Sequence, residues 1–582
     1  MDKKTIIAFV IIGLVIILTP YYMDLVTPES VKRERIAQQQ RLRLMQDSLA
    51  IVQQQAALER ESQPVETPAA ETQETVEKFS ELAEGKERKI KIETPLYTAV
   101  FSSKGGTVDS WIFKKYNHRN GEPLDLIQEN DGNLAISFVD PEGDNIDTKD
   151  LIYTVRGFES SEDDINIDLM DGSQNKTIEF ILNLGNNRLI RKSLTFYFNS
   201  YAIDLSVKLI NMDRYIDGRQ YELYWGGGLA YSEIGMDDDR YAKAYILLGE
   251  DEKVDINADD DNTGKTEEYT GNTGWIAART KYFSMAIIPK GEPGKGAFSV
   301  PYYEVADREN RWFYKHYLTG LKLDFKDDNI QEDRFQVYIG PNDFEMVKSL
   351  GVNLEMMMDF GWKFIRPISK LIYNIIVFLH GIIPNYGIAI IIFALLLKLL
   401  FHPLTAKSFK SMKAMSELQP KIKELRDKYK GEPQKLNQAT MRLYKEHGVN
   451  PMGGCLPMLL QMPVFFALYP VFYTFIDFRG AKFFGWINDL SQGDTLFNLP
   501  FSIPMYGNEV NLLPLIWGAS MLIQQKMTMK DPKQKAMVYI MPLMMMLFFN
   551  NFPSGLVLYW LVFNVLSIVH QKVIVTKDKD NE

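Results

Sequence analysis

Residues 390–405 read IIIFALLLKLLFHPLT, an apolar run that is interrupted by a single lysine, Lys398. A lysine at the centre of a bilayer costs about 2.5–3.5 kcal/mol on insertion scales. The side chain therefore either reaches the membrane surface with its ammonium group or lies in a polar place between helices. The first alternative makes Lys398 an ordinary feature of one helix, whereas the second makes it part of a site.

Polar side chains also interrupt the other apolar segments near the C-terminus. Six such residues occur, namely Gln461, Ser520, Gln524, Trp560, Asn564 and Ser567. The last three follow steps of four and three residues and share one helix face, and Ser520 and Gln524 are four residues apart. Each taken alone is consistent with hydrogen bonding between helices. Together with Lys398 they predict a hydrated cavity in the half of the membrane where the lysine lies.

Changes in composition divide the chain into six segments. These are a transmembrane anchor (1–23), a stalk or flexible linker (24–90), a β-sandwich domain (91–347), an interfacial amphipathic region (348–384), a five-span core (385–572) that includes a helical hairpin (404–450), and a short tail (573–582). The spans are predicted at about 385–402, 455–476, 512–527, 536–552 and 555–572. Several barely reach the roughly 20 residues that a hydrocarbon layer of about 30 Å requires, so we expect tilted helices or a thinned bilayer.

The run AIDLSVKLI, residues 202–210, alternates apolar and polar side chains with a period of two. This pattern is typical of a strand with one buried face. Similar short runs, such as LTFYF and RFQVYI, are separated by turns that contain Gly, Asn and Asp. Residues 91–347 are therefore predicted to form a large antiparallel β-sandwich. The single cysteine of the chain excludes an intramolecular disulfide, so the domain must rely on its hydrophobic core.

The hairpin at 404–450 is short and basic, with 11 Lys/Arg and 5 Asp/Glu. The positive-inside rule therefore places it in the cytoplasm. Counting spans from this loop puts residues 24–384 largely outside and both termini inside. The hairpin is either a solvated loop that fixes the topology or a docking surface for a ribosome, an RNA-rich partner or a nascent chain. On the second interpretation Lys421, Lys423 and Lys428 are the candidate contacts.

The sequence contains no motif that indicates enzyme chemistry. It has no P-loop or other nucleotide motif, and its six histidines are too far apart for an HExxH or other local metal site. We therefore expect no catalytic residues, no metal and no cofactor. Two functions remain, which are insertion of polypeptide segments into the membrane and transport of a small anion by a solute transporter with an exterior sensing domain. Transporters commonly contain internal repeats, and none is found in this sequence.

Four long motifs resemble the YidC family of membrane protein insertases, which includes the mitochondrial oxidase-assembly and chloroplast Albino-type insertases. They are TPLYTAVFSSKGGTVDSWIFKKY (94–116), HPLTAKSFKSM (402–412), NPMGGCLPMLLQMPVFFALYPVFY (450–473) and NFPSGLVLYWLVFN (551–564). The first of them resembles the start of the periplasmic domain of Gram-negative members. The resemblance covers nearly the whole chain, and residues 24–90 are its least characteristic part.

The resemblance implies a multi-span α-helical membrane protein with an N-terminal anchor, a five-helix insertase core and a large periplasmic antiparallel β-supersandwich domain. It also implies a hydrophilic groove that is closed toward the periplasm and open to the cytoplasm and to lipid. The positive charge of that groove, usually arginine in relatives, aligns with Lys398. Arginine binds carboxylates bidentately, whereas lysine is a compact point charge, so we expect general electrostatic attraction here.

The implied function is that of an insertase and chaperone of the bacterial inner membrane, which works alone or with the Sec translocon and without ATP hydrolysis. An apolar client segment is expected to slide along lipid-facing residues of the spans at 455–476 and 555–572. These residues are Phe465, Phe466, Leu468, Leu558 and Leu561. The expected partners are nascent membrane proteins, the Sec translocon, membrane lipids and the ribosome through the 404–450 hairpin, with no sequence-specific nucleic acid.

Overall fold

The computed structural model describes most of residues 78–579. Within that range the residues that it does not describe are 80–81, 83–84, 128, 157–163, 173–174, 234–238, 260, 308–311, 327, 450–455, 504–505 and 529–534. The predicted anchor (1–23), the predicted linker as far as residue 77, and residues 580–582 of the tail lie outside the described residues.

Nineteen strands of the described chain form a β domain of two sheets. They are β1 (Lys89–Glu93), β2 (Tyr97–Ser102), β3 (Thr107–Asn117), β4 (Pro123–Asp125), β5 (Ala135–Val139), β6 (Asn145–Asp147), β7 (Thr154–Arg156), β8 (Asp164–Asp168), β9 (Lys176–Asn183), β10 (Leu189–Phe196), β11 (Ala202–Ile210), β12 (Gln220–Trp225), β13 (Lys243–Leu248), β14 (Glu252–Ile256), β15 (Glu267–Arg279), β16 (Phe283–Lys290), β17 (Gly294–Asp307), β18 (Trp312–Asp324) and β19 (Ile330–Pro341). The smaller sheet has the order β4-β3-β2-β1-β8. The larger sheet has 14 strands in the order β6-β5-β12-β18-β17-β15-β16-β19-β11-β10-β9-β7, with β13 and β14 joined at β15.

The alternating run at 202–210 is strand β11, near the middle of the larger sheet. Its Ile203, Leu205, Val207 and Leu209 are each at most 1% exposed, whereas the polar residues between them are partly exposed. The strand pairs antiparallel with β10 and β19. The predicted antiparallel β domain is therefore confirmed, with the exception that β1 and β8 run parallel.

A short connection leads from the β domain to the long helices. It contains α1 (Phe344–Ser349), a 3₁₀ turn (Leu354–Met357) and α2 (Arg366–Ile382). The Asp343 carboxylate caps α1 by accepting a hydrogen bond from the backbone N–H of Met346 at 3.0 Å. Helix α2 buries one face, while Leu371, Phe378 and Ile382 on it are 60–68% exposed. This amphipathic helix has the surface that a position at the membrane interface requires.

Seven further helices follow in the described residues. They are α3 (Tyr386–Glu417), α4 (Gln419–Lys428), α5 (Pro433–Glu446), α6 (Leu456–Thr474), α7 (Leu512–Thr528), α8 (Lys535–Phe548) and α9 (Ser554–Lys579). Helix α9 packs against α3, α6 and α7, and α7 also packs against α8, so α9 lies at the centre of the bundle. Among the described residues, Tyr386–Glu417 and Ser554–Lys572 are long and apolar enough to cross a membrane, and Leu460–Thr474 and Val538–Phe548 are apolar but shorter.

Helix α3 is longer than the span predicted at 385–402. A proline inside a helix removes a backbone hydrogen bond and costs about 3 kcal/mol, so helices often end before one. Here α3 passes through Pro403 and continues to Glu417, and Thr405 and Phe409 beyond the proline are buried. The basic hairpin therefore begins as a continuation of the helix, and α4 and α5 then lie on either side of the turn at Gly431.

Candidate functional site

A cavity of about 400 Å³ lies between α3, α6, α7, α8 and α9. It is lined by Lys398, Thr405, Phe409, Met412, Gln461, Met462, Phe465, Trp517, Met521, Gln524, Gln525, Met541, Met545, Phe548, Phe549, Trp560, Phe563, Asn564 and Ser567. We call it the Lys398 cavity. Only seven of these 19 residues are Lys, Ser, Thr, Asn or Gln, so the wall is mainly apolar.

Lys398 lies inside this cavity and is buried. The residue is 6% exposed, and its Nζ donates a hydrogen bond to Oγ of Ser567 at 2.6 Å. The Nζ atom is 4.7 Å from the ring centre of Phe563 and 5.8 Å from that of Phe409, within the range of cation–π contacts. No Asp or Glu occurs among the described residues that line the cavity. The lysine therefore has polar and aromatic neighbours there but no carboxylate.

The polar residues predicted on one face of α9 meet polar residues of α3 and α7. Asn564 Nδ2 donates to Ser520 Oγ at 2.8 Å, which joins α9 to α7. Ser567 Oγ accepts from Lys398 and donates to the backbone oxygen of Phe563 at 2.7 Å. These bonds form a polar strip across three helices, and they are of the kind that holds helices together in a membrane.

Six of the seven predicted groove residues line the cavity. Ser520 is the exception, and it accepts the hydrogen bond of Asn564, which does line the cavity. The indole Nε1 of Trp560 is buried and has no hydrogen-bond partner among the described residues. The Trp560 ring makes edge contacts with Phe465 and Trp517, with ring centres 5.8 and 5.7 Å apart. Trp560 therefore presents an unsatisfied donor in the wall of the cavity.

The sequence reasoning missed the methionines that form much of the apolar wall. Met412, Met462, Met521, Met541 and Met545 all line the cavity. Methionine is flexible and polarisable, so a surface of methionines adapts to ligands of different shape. The methionine-rich run MPLMMML at residues 541–547 is the sequence signal for two of the five, Met541 and Met545.

The five predicted sliding residues do not lie on one surface. Phe465 lines the cavity, and Phe466 and Leu561 are partly exposed. Leu468 and Leu558 are 0% and 5% exposed inside the bundle, so they present no surface to lipid. Their burial contradicts the prediction that Leu468 and Leu558 face lipid. A helix that is apolar on all sides gives no sequence signal for which face is turned inward.

The three predicted docking lysines lie on α4, outside the cavity. Lys421, Lys423 and Lys428 are all exposed. The Nζ of Lys421 is 3.0 Å from Nε2 of His447, which follows α5, so the two arms of the hairpin are joined there. Helix α5 buries none of its residues. The hairpin thus offers a basic, largely solvated surface.

A buried ion pair attaches the β domain to the helical core. Glu233 is 2% exposed, accepts a hydrogen bond from Nε of Arg479 at 2.7 Å and also pairs with Arg119. Arg479 follows α6, whereas the two other residues belong to the β domain. Arg479 also donates through Nη2 to the backbone oxygen of Asn117, at the end of β3, at 2.7 Å. The segment after α6 is therefore fixed to the β domain.

A second polar cluster lies around Asp477, in the segment that follows α6. Asp477 accepts hydrogen bonds from the hydroxyl groups of Tyr373 on α2 and Tyr386 on α3, each at 3.1 Å. Burial and the neighbouring charge of Asp343 raise the pKa of Asp477 to about 6, although the two hydroxyl groups act in the opposite direction. The carboxylate of Asp477 therefore ties the segment after α6 to α2 and α3.

Comparison with known proteins gives matches over most of the chain. Two family models match, one described as 60Kd inner membrane protein over residues 378–581 and one as YidC periplasmic domain over residues 89–375. The membrane protein insertase YidC of Chlorobium limicola is 40% identical over 516 residues, which cover 87% of this chain and 86% of that one. The protein of the same name from Chlorobium luteolum is 37% identical over 579 residues, which cover 98% and 94%. A crystal structure of an active YidC insertase aligns with a TM-score of 0.37 at 20% identity and covers 82% of this chain and 90% of that one.

Proposed function

The chain belongs to the YidC family of membrane protein insertases, and from that premise we propose that the Lys398 cavity receives the polar part of a client protein during insertion. As an insertase it acts on newly made membrane proteins, and its family favours this function over the solute transporter. The family is not a known family of catalytic enzymes. The proposed process accordingly makes and breaks no covalent bond and uses no cofactor.

The observation that carries the proposal is the environment of Lys398. The ammonium group is buried and hydrogen-bonded to Ser567, and the described lining of the cavity holds no carboxylate. An opposite charge about 4 Å away gains roughly 4 kcal/mol at an effective dielectric constant of about 20. The short and often acidic outer tail of a client brings such a charge. Attraction to Lys398 then retains the tail in the cavity while the adjoining apolar segment reaches lipid.

The tail is released because burial of the client's apolar span in lipid is worth more free energy than attraction of the tail to Lys398. Lysine offers a point charge without the planar fork of arginine, so it holds a carboxylate loosely. Burial of a span of about 20 apolar residues contributes about 0.8 kcal/mol for each buried CH₂ group, which exceeds the retention of roughly 4 kcal/mol many times over. Partition of the client into lipid therefore drives the step, and ATP hydrolysis is not needed.

The methionine-rich wall suits an insertase that has clients of unrelated sequence. Met521, Met541 and Met545 lie in the same cavity as Phe465 and Trp560. Flexible side chains of this kind repack around segments of different shape, whereas a rigid wall selects one shape. We propose that a client segment contacts this wall before it leaves the cavity, with Phe466 and Leu561 on its path to lipid.

The orientation and the further partners are part of the same proposal. The basic hairpin formed by α4 and α5 lies in the cytoplasm, and the β domain lies in the periplasm, in agreement with the positive-inside rule. The N-terminus and the C-terminus are then cytoplasmic. We propose that the protein works alone or beside the Sec translocon, and that a ribosome contacts the exposed lysines of α4.

The test of the cavity uses a strain depleted of its own insertase. It receives the wild-type chain or the variants Lys398→Arg, Lys398→Gln and Lys398→Glu at matched expression. Protease accessibility reports insertion of a small two-span client with an acidic outer loop and of a matched client whose acidic residues are amides. We expect the Arg variant to insert both clients, and the Glu variant to fail with the acidic client because like charges repel. Normal insertion of the acidic client by Lys398→Glu would show that the charge-based mechanism is wrong.

The test of the hairpin uses exchange of three basic residues for glutamate. The exchanged residues are Lys421, Lys423 and Lys428, and the control exchange, with the same change in net charge, is at Lys290, Lys322 and Lys326 of the β domain. We expect the first exchange to weaken co-sedimentation of the purified chain with ribosomes, because the exposed positive surface attracts RNA. Equal co-sedimentation of both variants would count against contact through α4.

A further inference from the structure

A two-stranded hairpin between α6 and α7 exposes an unusual amount of apolar surface. It consists of β20 (Thr495–Ile503) and β21 (Gly507–Asn511), and we call it the β20–β21 hairpin. Its exposed large side chains are Leu496 (47%), Phe497 (56%), Phe501 (61%) and Ile503 (37%). Four such exposed side chains on a hairpin of this size are more apolar surface than a segment in contact with water usually carries.

The hairpin is held firmly against the ends of α7 and α8. The Nδ2 atom of Asn550, a fully buried residue in the turn after α8, donates to the backbone oxygens of Glu509 at 2.7 Å and Tyr506 at 3.0 Å. In return Asn511 Nδ2 donates to the backbone oxygen of Asn550 at 2.5 Å. Asn511 ends β21, and α7 begins at the next residue. The position of the hairpin relative to the bundle is therefore fixed by buried hydrogen bonds.

The hairpin lies on the side of the bundle that carries the β domain. The loop that leads to it contains Arg479 and Gln492, and both contact Glu233 of the β domain. In the same loop Trp486 is 38% exposed, and its Nε1 donates to the Asp494 carboxylate at 2.8 Å. A half-exposed tryptophan with a satisfied N–H is typical of the interface between hydrocarbon and water.

The described lengths of α7 and α8, which border the undescribed residues 529–534, are shorter than a hydrocarbon layer. Helix α7 has 17 residues and α8 has 14, which correspond to about 25 Å and 21 Å at 1.5 Å per residue. The hydrocarbon layer is about 30 Å thick. Phe548, the last residue of α8, is 53% exposed at the end of the helix that meets the hairpin through Asn550. The hairpin thus adjoins an end of α8 that presents an exposed apolar side chain.

The composition of the hairpin indicates what covers it. Residues 495–511 contain one charged residue, Glu509, and no Lys or Arg, so the segment has no charge that attracts anionic headgroups or nucleic acid. The outer edges of a two-stranded sheet carry unpaired backbone groups, which require water or headgroups and exclude the centre of the bilayer. We propose that the β20–β21 hairpin is a lipid-binding element, whose apolar side chains enter the acyl chains just below the headgroups on the β-domain side of the membrane.

The test uses depth-sensitive labels on the full chain in nanodiscs of palmitoyl-oleoyl phosphatidylcholine. Cys455, the single cysteine, is first replaced by serine, and an environment-sensitive dye is attached at Phe497→Cys, Phe501→Cys or, as the matched control in the same hairpin, Asn508→Cys. We expect quenching by lipids with a doxyl group on the acyl chain to be severalfold stronger at positions 497 and 501 than at 508. Aqueous iodide should show the reverse order.

Each other outcome overturns the proposal. Strong iodide quenching at all three positions would show that the hairpin stands in water, and protection from both quenchers at 497 and 501 would show that a protein, either a partner or a second copy, covers it. A requirement for anionic lipid would contradict apolar insertion. Photo-crosslinking of the unmodified chain to a lipid with a diazirine on its acyl chain provides a measurement without substitutions. Adducts on the peptide that contains residues 495–503 are expected, and their absence beside adducts on α9 would refute the proposal.

Discussion

Replacement of Glu233 by alanine is expected to loosen the attachment of the β domain to the helical core. The carboxylate is buried between the guanidinium groups of Arg479 and Arg119, and Gln492 Nε2 donates to it at 3.3 Å. The Arg479 side chain is 10% exposed, so in the variant its charge stays buried beside the carbonyl of Asn117 without a carboxylate. The Arg119 side chain is 39% exposed and turns to water at little cost.

The expected free-energy cost of each substitution follows from the difference in exposure between the Arg479 and Arg119 side chains. Removal of one partner from a buried ion pair costs about 3–5 kcal/mol, because it leaves a buried charge uncompensated. We expect Glu233→Ala to lie in that range. Arg479→Ala should cost less, about 1.5–3 kcal/mol, since Glu233 keeps Arg119 and Gln492 and loses one charged hydrogen bond. At about 1.4 kcal/mol for each factor of ten, the first variant raises local opening by roughly two to three and a half orders of magnitude.

Hydrogen exchange of the full chain in nanodiscs measures this opening directly. The amides of residues 475–492 report on the segment that Arg479 fixes to the β domain. The matched control is Glu292→Ala, because Glu292 pairs with Lys326 at 2.8 Å on the surface, where the two side chains are 65% and 47% exposed. Exposed pairs of this kind contribute at most about 1 kcal/mol.

The reasoning is refuted if Glu233→Ala accelerates exchange of this segment by less than tenfold, or by no more than Glu292→Ala does. A double variant provides a further check. If the effects of Glu233→Ala and Arg479→Ala are additive, the two residues do not act as a pair, and the buried contact is an arrangement without energetic coupling.

Two further predictions concern stability. Because folding raises the pKa of the Asp477 carboxyl from 3.8 to about 6, protonation of Asp477 stabilises the folded protein. This stabilisation is complete below about pH 3.8 and is lost as the pH rises through about 6. The loss of stability is at most about 3 kcal/mol. We expect Asp477→Asn to flatten the dependence of the thermal midpoint on pH in this range. An unchanged slope would show that Asp477 is not the group responsible. Leu205→Ala should destabilise the β domain by about 2–5 kcal/mol by leaving a cavity in its core, measured by denaturant unfolding. Ile330→Ala on the neighbouring strand, where the residue is 61% exposed, should change stability by no more than about 0.5 kcal/mol, and similar effects of the two variants would refute the account of the core.

Much of the fold follows from local pattern. The period-2 run at 202–210 is β11, because alternation of side chains across a strand depends only on neighbouring residues. The long apolar segments likewise become helices, because backbone groups in a membrane have to be satisfied within the segment itself. The four motifs predict the family, and the relatives at 37–40% identity confirm it.

The inward face of an apolar helix cannot be derived in this way. Leu468 and Leu558 are apolar residues among other apolar residues, and their burial depends on how α6 and α9 pack with their neighbours. The same limit applies to α3, which continues past Pro403 because Thr405 and Phe409 are buried in the bundle. Local propensity predicts an end there, and tertiary packing overrides it.

The sequence by itself determined that Lys398 is unusual, because a lysine in an apolar run is costly wherever the helix packs. Only the tertiary structure decided that the lysine is buried, since its partner Ser567 is 169 residues away and meets it through the packing of α3 on α9. Lys192 in the β domain is a parallel case, with an Nζ that donates to the backbone oxygens of Gly105 and Leu134. A local pattern records the cost of a charge in an apolar place, whereas the groups that offset this cost come from distant segments and become neighbours only when the chain folds.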